Sequence, residues 1–387
     1  MSPNRRQFVQ SVCAAGLVGL AGCGGGPSDD GNGNGNGGNG NGNGNGNGNG
    51  GNGNGNGNGN GGNGGEASDI GMVYATGGLG DGSFNDQAQQ GLFDAEEDFN
   101  INSNESQPEE VAQFSTFQQQ YAASSDPDYD LVCCIGFLQT DSLAETAPNY
   151  SDQNFMLVDS VVDEPNVANY TFAEHEGSFL VGQMAGTLTT QEFSAGAGST
   201  SGDSTNVGFV GGVESDLIRK FEAGFTAGVK HASDDVDVIT NYVGNFDDVA
   251  GGREAASAMY SSGADIVYHA AGNTGTGVFQ AAQEAEKFAI GVDRDQSVTV
   301  SSYADVILAS MVKRVDTAVY TSIENVVNDD HQGGSVNPLG LDDDGVDIVY
   351  GDQLGSEIPQ GIKDDIATSR QSIIDGDISV PTDPGNA

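Results

Sequence analysis

The sequence predicts an α/β fold, with parallel sheets covered by helices on both faces, from residue 68 to about 380. Two observations predict it. Short apolar runs alternate along the chain with segments whose apolar residues recur at helical spacing, the pattern of strands joined by crossover helices. The region is also long enough for two lobes of ordinary domain size.

The expected strands, in order, are Ile70–Tyr74, Leu131–Ile135, Phe155–Val158, Val167–Phe172, Val207–Val210, Val236–Val243, Ile266–His269, Ala289–Val292, Val298–Ser302 and Val346–Tyr350. Helical spacing runs through Phe84–Phe99, Val111–Ser124, Gly177–Thr189, Leu217–His231, Val249–Ser261, Val278–Phe288 and Ala304–Asn328. Phe193–Asn206, rich in Gly and Ser, is expected to be a surface loop. Cys133 and Cys134 are neighbours in one apolar run, so they point to opposite faces of a strand and are expected to be buried, inert thiols. In sheets of this kind ligands bind beyond the carboxyl ends of the strands.

The N-terminal residues read as an export signal. Arg5-Arg6-Gln7-Phe8-Val9 places an arginine pair before an apolar residue, and Val12 to Ala21 is an apolar run too short to span a bilayer. Leu20-Ala21-Gly22-Cys23 sets small residues before a cysteine whose thiol can carry lipid. Residues 1–22 are thus expected to be a twin-arginine lipoprotein signal peptide, and Cys23 the lipidation site. Residues 23–66, almost pure Gly and Asn, lack apolar side chains to offset ordering entropy and are expected to form a disordered tether. Roughly forty such residues reach about 30–40 Å on average.

Acidic residues outnumber basic ones 56 to 12, for a formal net charge of −44. Such a charge repels nucleic acid and anionic membrane surfaces. The acidity is scattered rather than gathered in a tail, which points to a salt-adapted protein whose self-repulsion is screened by concentrated salt.

Catalytic signatures are mostly absent. There is no G-x-x-x-x-G-K-[ST], no G-x-S-x-G and no H-E-x-x-H. The glycine runs Gly78–Gly82 and Gly272–Gly277 lack the spacing of a dinucleotide site but offer backbone N–H groups at strand ends. No cofactor and no metal are expected.

The segment Gly80-Asp81-Gly82-Ser83-Phe84-Asn85 resembles the D-K-S-F-N element of the basic membrane protein family, the nucleoside-binding lipoproteins of ABC transporters. The resemblance continues in family order through Gly136-Phe137-Leu138, Val158–Asp163, Phe172–Phe179, Phe221–Phe225, Asn241–Asp248, His269–Gly272, Ile290–Asp293 and Met311–Asp316. It implies a type I periplasmic-binding-protein fold: two doubly wound lobes joined by a hinge of three crossing segments, closing on a ligand. The crossings are expected near Asn166–Phe172, Gly291–Val298 and Gly333–Gly345. Lobe 1 would then combine 68–168 with 295–335, and lobe 2 would combine 172–292 with 345–380.

By position, the resemblance implies that Phe84 and Phe246 sandwich a purine, one ring from each lobe. It implies that Asp293, Lys313 and Gly277 hold the ribose hydroxyls and that Asp159 faces the base edge. The alternative for Lys313 is a helix-surface bridge to Asp316, which the i,i+3 spacing permits. One departure concerns base preference: where the family commonly has an acidic residue after the first strand, this chain has Ala75. The resemblance implies a non-enzymatic, lipid-anchored substrate-binding component on the extracytoplasmic face of the cell membrane. Its partners would be a nucleoside, the permease subunits of an ABC importer and, through Cys23, the membrane, with no nucleic acid. The alternative is a ligand-sensing lipoprotein on the same fold without transport.

Overall fold

The computed structural model describes residues 66–387; the signal segment, Cys23 and the tether up to Gly65 lie outside the described residues. Among the described residues, no helix is long and apolar enough to cross a membrane.

The chain runs β1 (Ser68–Val73), α1 (Phe84–Asp98), β2 (Ile101–Ser106), α2 (Phe114–Ala122), β3 (Leu131–Cys134), α3 (Thr140–Thr146), β4 (Phe155–Val158) and β5 (Val167–Phe172). It continues through α4 (Glu174–Thr189), the short β6 (Ser194–Ala195) and β7 (Gly198–Ser199), β8 (Asn206–Gly211), α5 (Asp216–Ala232), β9 (Asp237–Tyr242) and α6 (Val249–Ser261). Then come β10 (Ala264–Ala270), α7 (Thr274–Ala285), β11 (Phe288–Asp293), α8 (Gln296–Thr299), β12 (Ile307–Lys313), α9 (Val315–Val327), β13 (Val336–Leu339), β14 (Val346–Tyr350) and α10 (Gln360–Ile374).

Two six-stranded sheets result, ordered β13-β5-β4-β3-β1-β2 and β14-β12-β11-β10-β8-β9. The first is parallel throughout, and the second is parallel except where β14 runs against β12. Helices on both faces leave the central strands no solvent side, which is why β3, β4, β10, β11 and β12 are buried at every position. Cys133 and Cys134 are free and fully buried, and they belong to different apolar clusters on the two faces of the first sheet. Helices α4 and α5 pack backbone to backbone: a Cβ on Gly182 would come within 2.2 Å of Phe225 O.

Strands β2, β12 and β13 are not anticipated from local pattern, and Val298–Ser302 is helical turn rather than strand. The expected helix Ala304–Asn328 divides: Ile307–Lys313 is a strand, and the helix starts at Val315. A run buried on both faces has no period to separate strand from helix, so pairing with β11 and β14 decides. This moves the middle crossing. Because β12 belongs to the second sheet, the chain crosses at Lys313–Val315 rather than near Gly291–Val298. Residues 295–313 therefore belong to the second lobe, and α9 returns to the first, where a Cβ on Gly91 of α1 would meet Asp316 O at 2.2 Å. The other crossings are Phe172–Glu174 and Leu339–Val346. The Gly/Ser-rich segment forms the β6–β7 hairpin, fastened where Ser201 N and Oγ donate to buried Asp265 at 3.0 and 3.1 Å.

Candidate ligand-binding cleft

The carboxyl ends of both sheets face one cleft, the place where α/β sheets of this kind bind ligands. The first lobe contributes the loops after β1, β3 and β4. The second contributes the start of α5 and the loops after β9, β10 and β11, with Lys313 at the end of β12.

The loop after β1 is held by its own carboxylates. Asp81 accepts from Ser83 N at 2.9 Å and Asn85 N at 3.0 Å, capping the start of α1. Asp86 accepts from Gly80 N and Gly82 N at 2.7 and 2.9 Å. Asn85 accepts from Ala75 N at 2.9 Å and donates to Gly78 O at 3.0 Å. These bonds fix the entry into α1 and present Phe84 to the cleft.

Phe246 stands opposite on the loop after β9, pinned by the loop after β10. Thr274 N donates to Phe246 O at 3.0 Å, and the Thr274 hydroxyl links Asp248 N to Asn245 O. Gly272, at φ +56°, passes so close that a Cβ there would lie 3.1 Å from Phe246 O. The lobes touch across the opening: the rings of Phe137 and Phe246 meet edge to face at 6.4 Å, and Thr299 Oγ1 donates to Gly82 O at 2.9 Å.

One end of the cleft is charged. Lys313, 1% exposed, contacts Asp159 at 2.5 Å and Glu174 at 3.1 Å. Its Nζ also lies 5.1, 5.0 and 5.6 Å from the ring centroids of Phe84, Phe172 and Phe221, close enough for cation–π attraction. Burial opposes the lysine's charge, but Asp159, Glu174 and Asp293 outweigh it and hold the ammonium well above the ordinary lysine range. Burial pushes the Asp159 carboxyl up to about 6 against the pull of Lys313, and the Asp293 carboxyl up to about 7. Asp81 is likewise raised by burial to about 6. Asp159 and Asp293 both sit at left-handed φ, 72° and 65°, a conformation rare for non-glycine residues and kept only where the surroundings enforce it.

Phe84, Asp159, Phe246, Asp293 and Lys313 thus converge on the cleft from five separate segments. Gly277 does not line it. It lies within α7, where a Cβ would come within 2.0 Å of Val249 O, so its smallness serves the packing of α7 against α6. The glycines that do line the cleft are Gly77, Gly136 and Gly272. The surface bridge from Lys313 to Asp316 does not form; Asp316 faces Arg314 at 3.8 Å. Ala75 lines the cleft, leaving no carboxylate at that position. Phe137, Phe221 and Asn273 also line it. Their signal in the sequence was position after strands and at the entry to α5, too common a setting to single them out.

The model of a protein family described as ABC transporter substrate-binding protein PnrA-like matches residues 68–383. The chain belongs to that family. Its members are substrate-binding components of ABC transporters rather than enzymes. Among similar proteins is a CD4+ T-cell-stimulating antigen of Listeria monocytogenes, 35% identical, covering 81% of this chain and 88% of the relative. Another is the ABC transporter nucleoside-binding protein BmpA of Lactococcus lactis, 34% identical over 80% of this chain and 88% of that protein. A solved ABC transporter solute-binding protein from Aeropyrum pernix superposes with a TM-score of 0.72 at 28% identity, covering 81% of this chain and 93% of its own. The family's type I periplasmic-binding architecture is the one described above, with one sheet per lobe and the cleft between them.

Proposed function

We propose that this chain captures a purine nucleoside between its lobes and delivers it to the permease of an ABC importer, held to the extracytoplasmic face of the membrane by lipid on Cys23. The observation that carries this reading is the make-up of the cleft. Phe84 and Phe246 reach it from opposite lobes, and Asp159, Asp293 and Lys313 line it with them. Aromatic rings stack on either face of a base, and carboxylates accept from vicinal hydroxyls. Lys313 is committed to Asp159 and Glu174, so the cleft offers no spare cation to a phosphate. A neutral nucleoside therefore fits better than a nucleotide. A relative named for nucleoside binding supports the same reading.

The experiment is mass spectrometry of ligand released from protein purified in molar salt, followed by calorimetry with nucleoside, free base and nucleotide on stripped, refolded protein. Nucleoside binding tightest of the three is expected; no nucleoside binding at micromolar protein would overturn the reading. Retention of a Cys23→Ser variant in membranes washed with salt and alkali would overturn the anchor alone.

A further inference from the structure

The charged end of the cleft continues behind its wall and into the hinge. Lys313 ends β12 just before the middle crossing, and Glu174 begins α4 just after the first. Their ion pair at 3.1 Å joins these two crossings through side chains. Backbone bonds join both to the third: Ala173 N donates to Leu339 O, and Arg314 N to Gly345 O, each at 2.9 Å. Lys220, on α5 of the second lobe, donates to Phe172 O and to Glu174 Oε2, both at 2.7 Å, and so grips both sides of the first crossing. At the other end Lys313 reaches Asp159 of the first lobe.

The sequence Asp159–Lys313–Glu174–Lys220 therefore runs from one lobe to the other through two crossings, with alternating charges that sum to zero. Asp159 and Lys313 line the cleft; Glu174 and Lys220 do not. Glu174 is fully buried, with both oxygens engaged by lysines, and removing one partner would leave an uncompensated charge in the interior. Rotation about the crossings strains the two contacts that span the lobes, Lys313 with Asp159 and Lys220 with Phe172 O, and Glu174 ties these two lysines together.

We propose that Glu174 and Lys220 are positioning residues for ligand binding: they clamp the hinge, fix Lys313 and couple events at Asp159 to the angle between the lobes. The proposal rests on the reading of the cleft as the nucleoside site. It differs from ordinary structural pairing, for which the chain supplies a control. Lys287 pairs with buried Asp265 in the second lobe, is exposed to the same degree as Lys220, and lies away from the cleft.

The sign of a pH effect separates clamp from packing. Asp159 faces Lys313 from β12, Glu174 from α4 and Lys220 from α5, and Asp293 at the end of β11 stands beside the same Lys313. Besides burial, Lys313 and Lys220 lower the Asp159 pKa, and Glu174 raises it. A protonated Asp159 no longer accepts from a ligand donor as a carboxylate, so affinity falls as pH drops through about 6. Removing the Lys220 charge moves that limb to higher pH, and removing the Glu174 charge moves it to lower pH. The Asp293 carboxyl, raised to about 7 by burial and shaped further by Lys313, Ser83, Asp81 and Asp159, gives a limb common to both variants.

The test is calorimetry with adenosine and inosine from pH 5 to 8, in molar salt, on wild type, Lys220→Met, Glu174→Gln and Lys287→Met. Spin-label distances between lobes are measured on the same four in a Glu97→Cys, Glu254→Cys background. Lys220→Met and Glu174→Gln are expected to weaken binding between about 5-fold and about 150-fold, the usual span of coupling between linked sites. Their acid limbs should shift in opposite directions, and their ligand-free interlobe distances should broaden, whereas Lys287→Met changes none of these. Lys220→Arg, which keeps the charge and the fold, should restore the limb and the narrow distribution. Unshifted limbs with wild-type affinity and distances, or the same shifts in Lys287→Met, would overturn the clamp. If wild type binds no nucleoside, the functional reading falls, and the distance distributions decide the clamp without ligand.

Discussion

The hydroxyl of Ser83, in the loop that presents Phe84, donates to the carboxylate of Asp293 at the end of β11, and both side chains are buried. A residue of one lobe thus holds a proposed ligand-contacting residue of the other. Burial raises the Asp293 carboxyl to about 7, with Lys313 and Ser83 opposing. Between its ordinary value near 4 and 7, the folded protein binds a proton that the unfolded chain has released. This group therefore removes stability as pH rises through that window. In thermal melts, Asp293→Asn should gain on wild type from pH 4 to 7, and the gap should then stay level. Ser83→Ala removes a bond that favours the ionised form, so the window should extend upward. A gap independent of pH would contradict both expectations.

Phe246→Ala should weaken nucleoside binding by about 1–3 kcal/mol, the worth of one base–aromatic stack. Phe84→Ala should lose a similar amount, plus the contact with Lys313. Unchanged affinity in both, by calorimetry, would place the base elsewhere in the cleft.

Lys313→Met should cost more in folding than in binding. It strands Asp159 and retains Glu174 with Lys220 alone, and breaking a buried pair commonly costs about 3–5 kcal/mol. A drop in melting temperature in molar salt is expected, together with a larger loss of affinity for nucleoside than for free base. A variant as stable as wild type would show that the ion pairs contribute little.

A chain with a net charge of −44 should lose stability as salt is withdrawn, because the screening length grows from about 3 Å at 1 M to about 30 Å at 0.01 M. Melting temperatures across a salt series measure this directly. A flat response would remove the case for salt adaptation.

The sequence by itself determined the α/β class, because alternation of buried runs with helical spacing is a local property of the chain. It also determined the loop that carries Phe84, since Asp81, Asn85 and Asp86 bond to backbone within ten residues of themselves. The tertiary structure alone decided the rest. Ile307–Lys313 became a strand because β11 and β14 flank it, not because of its own pattern. Gly277 went to helix packing and Gly272 to the cleft, a distinction set by which backbone passes within van der Waals range. Lys313 found Asp159 and Glu174 rather than nearby Asp316 because the chain crosses between lobes directly after it, turning its side chain inward while Asp316 goes with α9. Charge partners of a buried group come from distant segments, and only the folded arrangement of the sheets brings those segments together.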